Sequence, residues 1–470
     1  MKKLFKENDL VKFVTLAILV TIILTWIIPG GSFAGTTYTK AEIARIGLIE
    51  TSLSTVYSVS FFLQQIIFVL VLGAFYGVIT LTNGYKELVT KCAKFVKGKE
   101  IPVVLVVSAL LAVFTSISSQ VFAAMIFVPF IITVLLRANL DKKTAFVATF
   151  GSIFIGMIGA TYGTEGFYYF NYYMGTDLTT NIKMRFVVLA IAYVLFSIFN
   201  VLNVKKVLAG KKVDESKEDK FAVEKATKKK VKVWPIVLLL VVVAAYTVLG
   251  YVRWEEQFEI TCFTEFHTWL TGLKIGEHAV ISYILGGSLL GGSLPFGTWE
   301  LYSIFSVLLV VTLIAVIIYR VSLDEIIDGV SNGLSKMAKP TMLMVLAYSI
   351  FVIVYWSLII PTITDWIVSE KFNPFLTTIA SFISSIFVAD FGYVGYSIGS
   401  FLTSAYADNM KQVLVIYPAM HGFVQMIAPT SVILLAGLSY TGISYKEWMK
   451  HIWKFIVALL VVLVVVFALI

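Results

Sequence analysis

The chain repeats one kind of segment along most of its length, an apolar stretch about as long as a helix that crosses a lipid bilayer. Such a helix needs about 20 residues, and Leu10–Ile28, Trp234–Val252 and Leu301–Tyr319 are close to that length. Hydrophobic residues make up 59% of the chain and charged residues 14%, whereas a soluble domain has about 25% charged residues. The chain is therefore predicted to be an integral membrane protein.

Most of the net charge of +9 lies in loops between the apolar stretches. Lysines cluster in Tyr85–Lys99, Asn203–Val233 and Tyr445–Lys454. Basic loops of this kind mark the cytoplasmic side of a membrane protein and are not a nucleic-acid signal. The pattern predicts a multi-pass protein of the bacterial cytoplasmic membrane, with its N-terminus in the cytoplasm and the lipid bilayer as its surroundings.

Val413–Gly437 is long and apolar enough to be a membrane helix, yet Pro429, Thr430 and Ser431 interrupt it. Proline removes a backbone donor and clashes with the preceding turn, so the helix is predicted to break just before Pro429. Free backbone groups at membrane depth are tolerated only where they line a cavity. Broken helices at this depth form the binding sites of many secondary transporters. Thr144–Phe170 carries a matching interruption at Thr161–Glu165.

Two further apolar blocks are interrupted by polar residues near their centres. Pro102–Leu136 contains Thr115–Gln120, and Asn373–Ala405 contains Ala389–Tyr393. Each half-block is shorter than the roughly 20 residues of a full span. These blocks are predicted to be re-entrant hairpins with polar tips.

Both halves of the chain have the same order of predicted elements: plain span, interfacial helix, span, hairpin, broken helix and plain span. The interfacial helices are Thr51–Gln64 and Leu323–Lys339. One additional span between the halves inverts their orientation, so both hairpins and both breaks are expected to meet at the midplane. The predicted fold is an all-α polytopic membrane protein with two inverted repeats, about nine transmembrane helices, two re-entrant hairpins and two broken helices.

The predicted units follow from this order. They are residues 1–203 (first repeat, hairpin 102–136, broken helix 144–170), 204–233 (Lys-rich linker), 234–297 (linking span and outer segment) and 298–470 (second repeat, hairpin 373–405, broken helix 411–437). Residues 281–297 are glycine-rich and apolar, and the pattern does not place them.

The candidate binding residues are polar or ionisable groups at the breaks and the hairpin tips. They are Pro429, Thr430, Ser431, Thr161, Thr164, Glu165, Ser118, Ser119, Gln120, Asp390, His421 and Gln425. Half-helix N-termini attract anionic groups and free carbonyls coordinate sodium, so Thr161–Glu165 and Ala428–Ser431 are candidate sodium sites.

Several of these residues also have a purely structural interpretation. Hydroxyls could patch a proline kink at Pro429, and Glu165 could be solvated at the interface. Asp390 could bind a cation, a proton or an ammonium group, or could simply cap a turn. His421 could relay protons or pair with Asp390, or could be a hydrogen-bonded packing residue.

Four sequence segments resemble the anaerobic C4-dicarboxylate carrier family. They are WIIPGGSF, GAFYGVITLTNGY, KFVKGKEIPVVLVV and the C-terminal APTSVILLAGLSYTGISYKEWMKHIWKF. The YfcC-type branch, often associated with amino-acid exchange, is the most similar, and the p-aminobenzoyl-glutamate transporters share the pattern. The resemblance implies the ion-transporter superfamily fold, a homodimer and elevator-type movement. It also implies functional roles for Thr430, Ser431 and the hairpin tips.

The chain departs from the family pattern at three places. Family members usually have a glycine-rich first tip followed by two acids, whereas this chain has TSISSQ. The second tip is usually a run of Ser and Gly, whereas here it is ADFGYVGYS. The first break usually carries Asn-Pro, whereas here it is TYGTEG. We therefore expect the scaffold to be shared and the substrate or its coupling to differ.

These features favour a secondary active transporter, either an ion- or proton-coupled symporter or an exchanger, for a small amino acid or related carboxylate-bearing metabolite. Such a substrate explains acids and half-helix N-termini in one site. A C4-dicarboxylate carrier is the alternative, and a passive channel or degenerate carrier is a further one. The four histidines lack metal-ligand spacing and no nucleophile motif is present. An enzyme is therefore not predicted, nor any cofactor beyond Na+ or H+ as a coupling ion.

Overall fold

Helices account for nearly all the regular structure in the computed structural model of the protein. The structure describes residues 9–118, 120–163, 165–210, 215, 218–224, 231–276, 278, 284 and 294–470. Most of residues 281–297, which the sequence pattern did not place, lie outside the described residues.

The first half contains one short strand pair, Gly31–Ala34 with Thr37–Lys40, which is antiparallel. Its helices are α1 Asp9–Ile27, α2 Leu48–Phe61, α3 Leu63–Ile79, α4 Asn83–Val96, α5 Glu100–Ile117, α6 Val128–Arg137, α7 Lys142–Phe146, α8 Ser152–Gly159, α9 Glu165–Met174 and α10 Ile182–Ala209. A 3-10 helix, Val121–Phe127, precedes α6, and a π-helical turn, Val147–Gly151, joins α7 to α8.

The second half is also helical. Its helices are α11 Trp234–Tyr251, α12 Trp254–Phe258, α13 Cys262–Gly272, α14 Ile304–Tyr319, α15 Leu323–Ser357, α16 Ile359–Ile367, α17 Pro374–Phe387, α18 Phe391–Ala405, α19 Met410–Gln425, α20 Val432–Thr441 and α21 Tyr445–Leu469.

Seven helices of the described residues are long and apolar enough to cross a membrane. The number rises to eight if α2 and α3, which meet at a bend of 69°, count as one span. An α-helix satisfies its backbone polar groups within the segment, as a lipid environment demands. The predicted all-α polytopic membrane fold is confirmed. The predicted total of about nine spans is higher than the number found in the described part of the chain.

The order of elements predicted an interfacial helix, Leu323–Lys339, separate from the span after it, and this separation is wrong because the two are continuous. Together they form α15, which has 35 residues. Pro340 cannot donate to the carbonyl four residues earlier, that of Lys336. The Lys220 ammonium donates to this carbonyl at 2.8 Å. Because the orphaned acceptor finds a partner outside the helix, the helix passes through the proline.

The helices pack in two groups. In the α15 group, α1, α2 and α3 pack on α15, and α14 packs on α3 and α11. In the α8–α19 group, α8 packs on α5, α10 and α19, while α17 packs on α19 and α21. The most extensive contact between the two predicted repeats is that of α3 with α15, and the next is that of α9 with α18. Helix α4 joins the α15 group through α11. Helices α6, α7 and α20 join the α8–α19 group through α7 and the π-helical turn before α8. The groups meet chiefly where α20 packs on α15 and α4 packs on α6.

Glycines allow α3 and α15 to cross at close range. Gly73 and Gly77 of α3 face Gly329 and Gly333 of α15. A Cβ at Gly77 would lie 2.1 Å from the Gly329 carbonyl oxygen, and one at Gly333 would lie 2.0 Å from the Gly73 carbonyl oxygen. These contacts are with backbone, which cannot rotate away. Small residues are a common means of close helix packing in membranes.

Candidate functional site

The first helix break is hydrogen-bonded to the end of α5. Helix α8 ends at Gly159, and its C-terminal capping residue Ala160 has a positive φ of 33°. The Thr161 and Ser116 hydroxyl oxygens are 2.8 Å apart, and the Thr161 backbone N–H donates to the Ser116 hydroxyl at 3.0 Å. The N–H groups of Tyr162 and Gly163 donate to the Ser116 carbonyl at 3.2 and 3.1 Å. The Thr161 hydroxyl and the N–H groups of residues 161–163 are thus satisfied within the protein.

The second break has an equivalent link to its own hairpin. Helix α19 ends at Gln425 and α20 begins at Val432, so the predicted break before Pro429 is confirmed. The Thr430 hydroxyl donates to the Ile386 carbonyl, near the end of α17. The Ser431 hydroxyl accepts from the Leu434 N–H at 3.3 Å and caps the N-terminus of α20.

Carbonyls released by the second break are bound by α21. The Trp448 indole N–H donates to the Met426 carbonyl at 3.0 Å, and the Tyr445 hydroxyl donates to the Ile427 carbonyl. An unpaired carbonyl in an apolar interior costs free energy, and these two side chains remove that cost. The C-terminal helix therefore stabilises the break.

The tip of the second hairpin is the short connection between α17 and α18. The ends of this hairpin meet, because the Phe372 and Tyr406 ring centroids are 5.2 Å apart and the Tyr406 hydroxyl donates to the Ser369 carbonyl at 2.8 Å. Asp390 at the tip accepts a hydrogen bond from the Gly392 N–H at 2.9 Å and caps α18. The first tip turns at Ser118, whose hydroxyl bonds the N–H and carbonyl of Gln120, both at 3.1 Å.

A cavity of about 220 Å³ lies where α2 and α3, both hairpins and the second broken helix come together. It is lined by Phe61, Phe62, Gln65, Gln120, Val121, Phe122, Met157, Gly166, Tyr169, Tyr348, Ala389, Asp390, Phe391, His421, Gln425, Val432 and Ile433. The lining comes from both predicted repeats and from both helix groups. A cavity at this position is what a two-fold binding site requires.

The polar side chains in the described lining of the cavity are one carboxylate, one imidazole, three amides and two tyrosines. Gln120 and Gln425 are buried. The His421 ring stacks on Phe391 with the centroids 4.8 Å apart, and its Nδ1 has no hydrogen-bond partner. The Gln65 Oε1 atom is likewise buried without a partner. Buried polar atoms normally have partners, so these two atoms are available to a ligand.

Asp390 is the single Asp, Glu, Lys or Arg in the described lining of the cavity. The predicted pair between Asp390 and His421 is not among the ion pairs of the described residues, which are Lys142–Glu218 and Arg253–Glu256. A carboxylate in an apolar interior is costly without a cation beside it. The cavity therefore favours a ligand that brings positive charge.

A second cavity of about 450 Å³ adjoins the first at Asp390. It is lined by Phe61, Phe62, Tyr169, Tyr173, Phe351, Tyr355, Asp390, Gly392, Tyr393 and Tyr396. Aromatic ring faces attract cations. The same carboxylate thus lies at the junction of a polar cavity and an aromatic one.

The twelve candidate residues fall into three sets. Four line the first cavity: Gln120, Asp390, His421 and Gln425. Five hold the breaks and the first tip: Thr161, Ser118, Pro429, Thr430 and Ser431. Ser119 and Thr164 lie outside the described residues, as does the side chain of Glu165.

Sequence reasoning missed the contribution of the α15 group to the cavity. Gln65, Tyr348 and the aromatic pair Phe61 and Phe62 line it from α2, α3 and α15. Gln65 is a polar residue within an apolar run, and this pattern could have identified it as a candidate cavity residue. Within the described residues, no group of three or more His, Cys, Asp or Glu side chains could hold a metal ion. The candidate sodium sites at the breaks stay predictions.

A polytopic helical fold with two broken helices beside a central cavity defines the class of membrane transporters. A family model described as "DcuC: C4-dicarboxylate anaerobic carrier" matches residues 8–470, and the chain belongs to this family. The predicted family resemblance is confirmed at this level. Membership in a carrier family agrees with the prediction of a carrier that is not an enzyme.

One solved structure with a similar course is the crystal structure of the Alcanivorax borkumensis YdaH transporter, described as having an unusual topology. The two chains share 12% identity, with 98% of this chain and 97% of that one covered and a TM-score of 0.41. No curated protein matches the chain.

Proposed function

We propose that the protein is a secondary active transporter for a small amino acid or a related metabolite that carries both an amino group and a carboxylate. The observation that carries the proposal is Asp390, a carboxylate shared by two cavities whose described linings contain no cationic side chain. A substrate ammonium would supply the missing charge. The aromatic rings of the second cavity would attract the same group on its way in.

The substrate carboxylate would bind in the polar cavity, at the N-terminus of α20. Val432 and Ile433, the first residues of α20, line this cavity. A helix N-terminus carries partial positive charge and favours an anion. The amides of Gln120 and Gln425 add neutral donors. One small zwitterion could therefore satisfy Asp390 and the α20 N-terminus together.

Alternating access would come from movement of the α8–α19 group along the α15 group. The cavity lies between the groups, so such a movement would carry the substrate from one membrane face to the other. We propose Na+ or H+ coupling, or exchange, in a homodimer of the bacterial cytoplasmic membrane with the N-terminus inside. Amino-acid exchange is also what resemblance to the YfcC-type branch favours.

A C4-dicarboxylate is the second candidate substrate, and membership in the DcuC family favours it. Two carboxylates beside Asp390 would place three negative charges in one buried cavity. Such an arrangement needs a coupled cation or proton to offset the repulsion. Dicarboxylate transport would therefore depend strongly on Na+ or on pH.

Counterflow in proteoliposomes tests the proposal. Vesicles loaded with unlabelled amino acids should accumulate the labelled amino acid, while C4-dicarboxylates should neither exchange nor compete. Asp390→Asn should abolish accumulation, and Asp408→Asn, at an exposed site beyond α18, should leave it unchanged. Accumulation of dicarboxylates alone would overturn the amino-acid assignment, and uptake without trans-stimulation would indicate a channel.

A further inference from the structure

Part of the Lys-rich linker is folded onto the protein. Phe221 is fully buried, although its neighbour Ala222 is exposed. The Phe221 ring lies 5.6 Å from Tyr76 of α3 and 6.2 Å from Tyr440 of α20, measured between ring centroids. Tyr76 belongs to the α15 group, and α20 is the second half of the broken helix. The Phe221 ring thus packs between the two helix groups, in contact with both.

Asp219 adds polar contacts with α6 and α20. Its carboxylate accepts a hydrogen bond from the Thr133 hydroxyl of α6 at 2.5 Å and a longer one from the Tyr440 hydroxyl at 3.4 Å. Burial raises the pKa of the Asp219 carboxyl, and the hydrogen bond from Thr133 opposes that rise. A carboxylate held in this way is not a solvated linker residue.

Lys220 donates a hydrogen bond to α15 where Pro340 interrupts its hydrogen bonding. Pro340 leaves the Lys336 carbonyl without an intrahelical donor, and the Lys220 ammonium donates to this carbonyl at 2.8 Å. The Lys336 ammonium in turn lies 5.2 Å from the centre of the Phe221 ring. The linker therefore completes the hydrogen bonding of a helix in the α15 group.

Flanking residues hold the segment to the α8–α19 side. The Arg137 guanidinium of α6 donates to the Val223 carbonyl at 3.0 Å. Lys142 of α7 pairs with Glu218, and its backbone N–H donates to the Glu215 carboxylate at 2.7 Å. Within a few residues, the linker bonds elements from both groups.

We propose that residues 218–224 form a latch that holds the two helix groups in the arrangement seen here and must release for one group to move along the other. The movement itself rests on the proposed transport function. The latch is suited to release because it has one aromatic anchor, and its ionisable residues Asp219 and Lys220 regain hydration when it leaves. A segment that stays bound throughout the transport cycle would be expected to bury a larger apolar surface.

The test compares Phe221→Ala, which removes the aromatic ring, with Ala222→Ser at the exposed neighbour. Spin labels at Lys205→Cys of α10 and Asp328→Cys of α15, both exposed, report the distance between the groups once Cys92 and Cys262 are replaced by Ala. Ala222→Ser should show one narrow distance distribution. Phe221→Ala should add a second population. Hydrogen–deuterium exchange of a peptide covering 218–224 should be slow in the wild type and fast in Phe221→Ala.

Transport provides an independent readout. Initial counterflow should be about threefold or more faster in Phe221→Ala if release limits turnover. Lys220→Met keeps the Phe221 ring but removes the donor to the Lys336 carbonyl, and it should also speed counterflow. It serves as the second test if Phe221→Ala does not fold. A single unchanged distance distribution in both variants, or fast exchange of the wild-type peptide, would overturn the latch. If Phe221→Ala shows two distance populations but the protein shows no counterflow, the transport proposal fails and the latch stands.

Discussion

Thr161 and Ser116 bond through three separate contacts: their hydroxyl oxygens are 2.8 Å apart, the Thr161 N–H donates to the Ser116 hydroxyl, and the Thr161 hydroxyl donates to the Ser116 carbonyl at 3.1 Å. Thr430 makes the corresponding link to Ile386 in the second half of the chain. In each half, a threonine at the helix break holds the preceding hairpin. Hairpin and break are therefore expected to move as one unit.

The link between Thr161 and Ser116 should be cooperative. Thr161→Val and Ser116→Ala each leave a buried polar group unpaired, so each should destabilise the protein by about 1–3 kcal/mol. The double variant should lose less than the sum, with a coupling of about 0.5–3 kcal/mol. Unfolding in detergent, followed as a double-mutant cycle, measures this coupling. Strict additivity would show that the two hydroxyls act separately.

The crossing of α3 and α15 should not tolerate a methyl group. Gly77→Ala or Gly333→Ala places a Cβ about 2 Å from a backbone oxygen, which forces the helices apart and should cost at least about 1–3 kcal/mol. Gly272→Ala is the matched control, since a Cβ there meets nothing within 4 Å. Thermal stability in detergent reports the difference. Equal melting of Gly77→Ala and Gly272→Ala would contradict this packing.

His421 should contribute to ligand affinity through its nitrogen atoms. His421→Phe keeps a ring that can stack on Phe391, yet removes the Nδ1 atom that has no protein partner. A lost hydrogen bond to a charged ligand is worth about 1.5–3 kcal/mol, so the KM for counterflow should rise by about tenfold or more. The melting temperature without ligand should change little. An unchanged KM would assign His421 to packing.

Docking of the linker segment should strengthen in mild alkali. Burial, with a smaller contribution from Lys339, lowers the pKa of Lys220 to about 8, whereas a free lysine has a pKa near 10.4. Between these values the released segment binds more protons, so the docked state gains stability as pH rises. Lys339 of α15 is the charged group that acts on Lys220, while Asp219 acts on Lys336, whose backbone carbonyl accepts from Lys220.

Hydrogen exchange of residues 218–224 measures this effect. Protection, corrected for the intrinsic pH dependence of exchange, should increase between about pH 7.5 and pH 9.5. Lys220→Met removes the titrating group and should flatten the dependence. Protection that falls over the same range in the wild type would show that another group controls docking.

Sequence patterns captured the features that depend on neighbouring residues. Pro429 predicted the break, and polar residues inside apolar blocks predicted the turns at both tips. Helix α5, the first arm of the predicted first hairpin, is nevertheless long and apolar enough to cross a membrane. Contacts between distant segments were not predictable in this way. Lys220 binds the Lys336 carbonyl 116 positions away, and for that reason α15 continues through Pro340. Gln65 lines the cavity from the first turn of α3, directly after the 69° bend between α2 and α3.

Ligand-dependent melting of the wild type and Asp390→Asn tests the central claim most directly. A ligand at 100 times its Kd adds about 2.7 kcal/mol of stability, so the amino-acid substrate should raise the Tm of the wild type and leave that of Asp390→Asn unchanged. Asp408→Asn should respond like the wild type. Stabilisation of the wild type by C4-dicarboxylates but by no amino acid, or equal stabilisation of Asp390→Asn, would contradict a site built around the Asp390 carboxylate and a substrate ammonium.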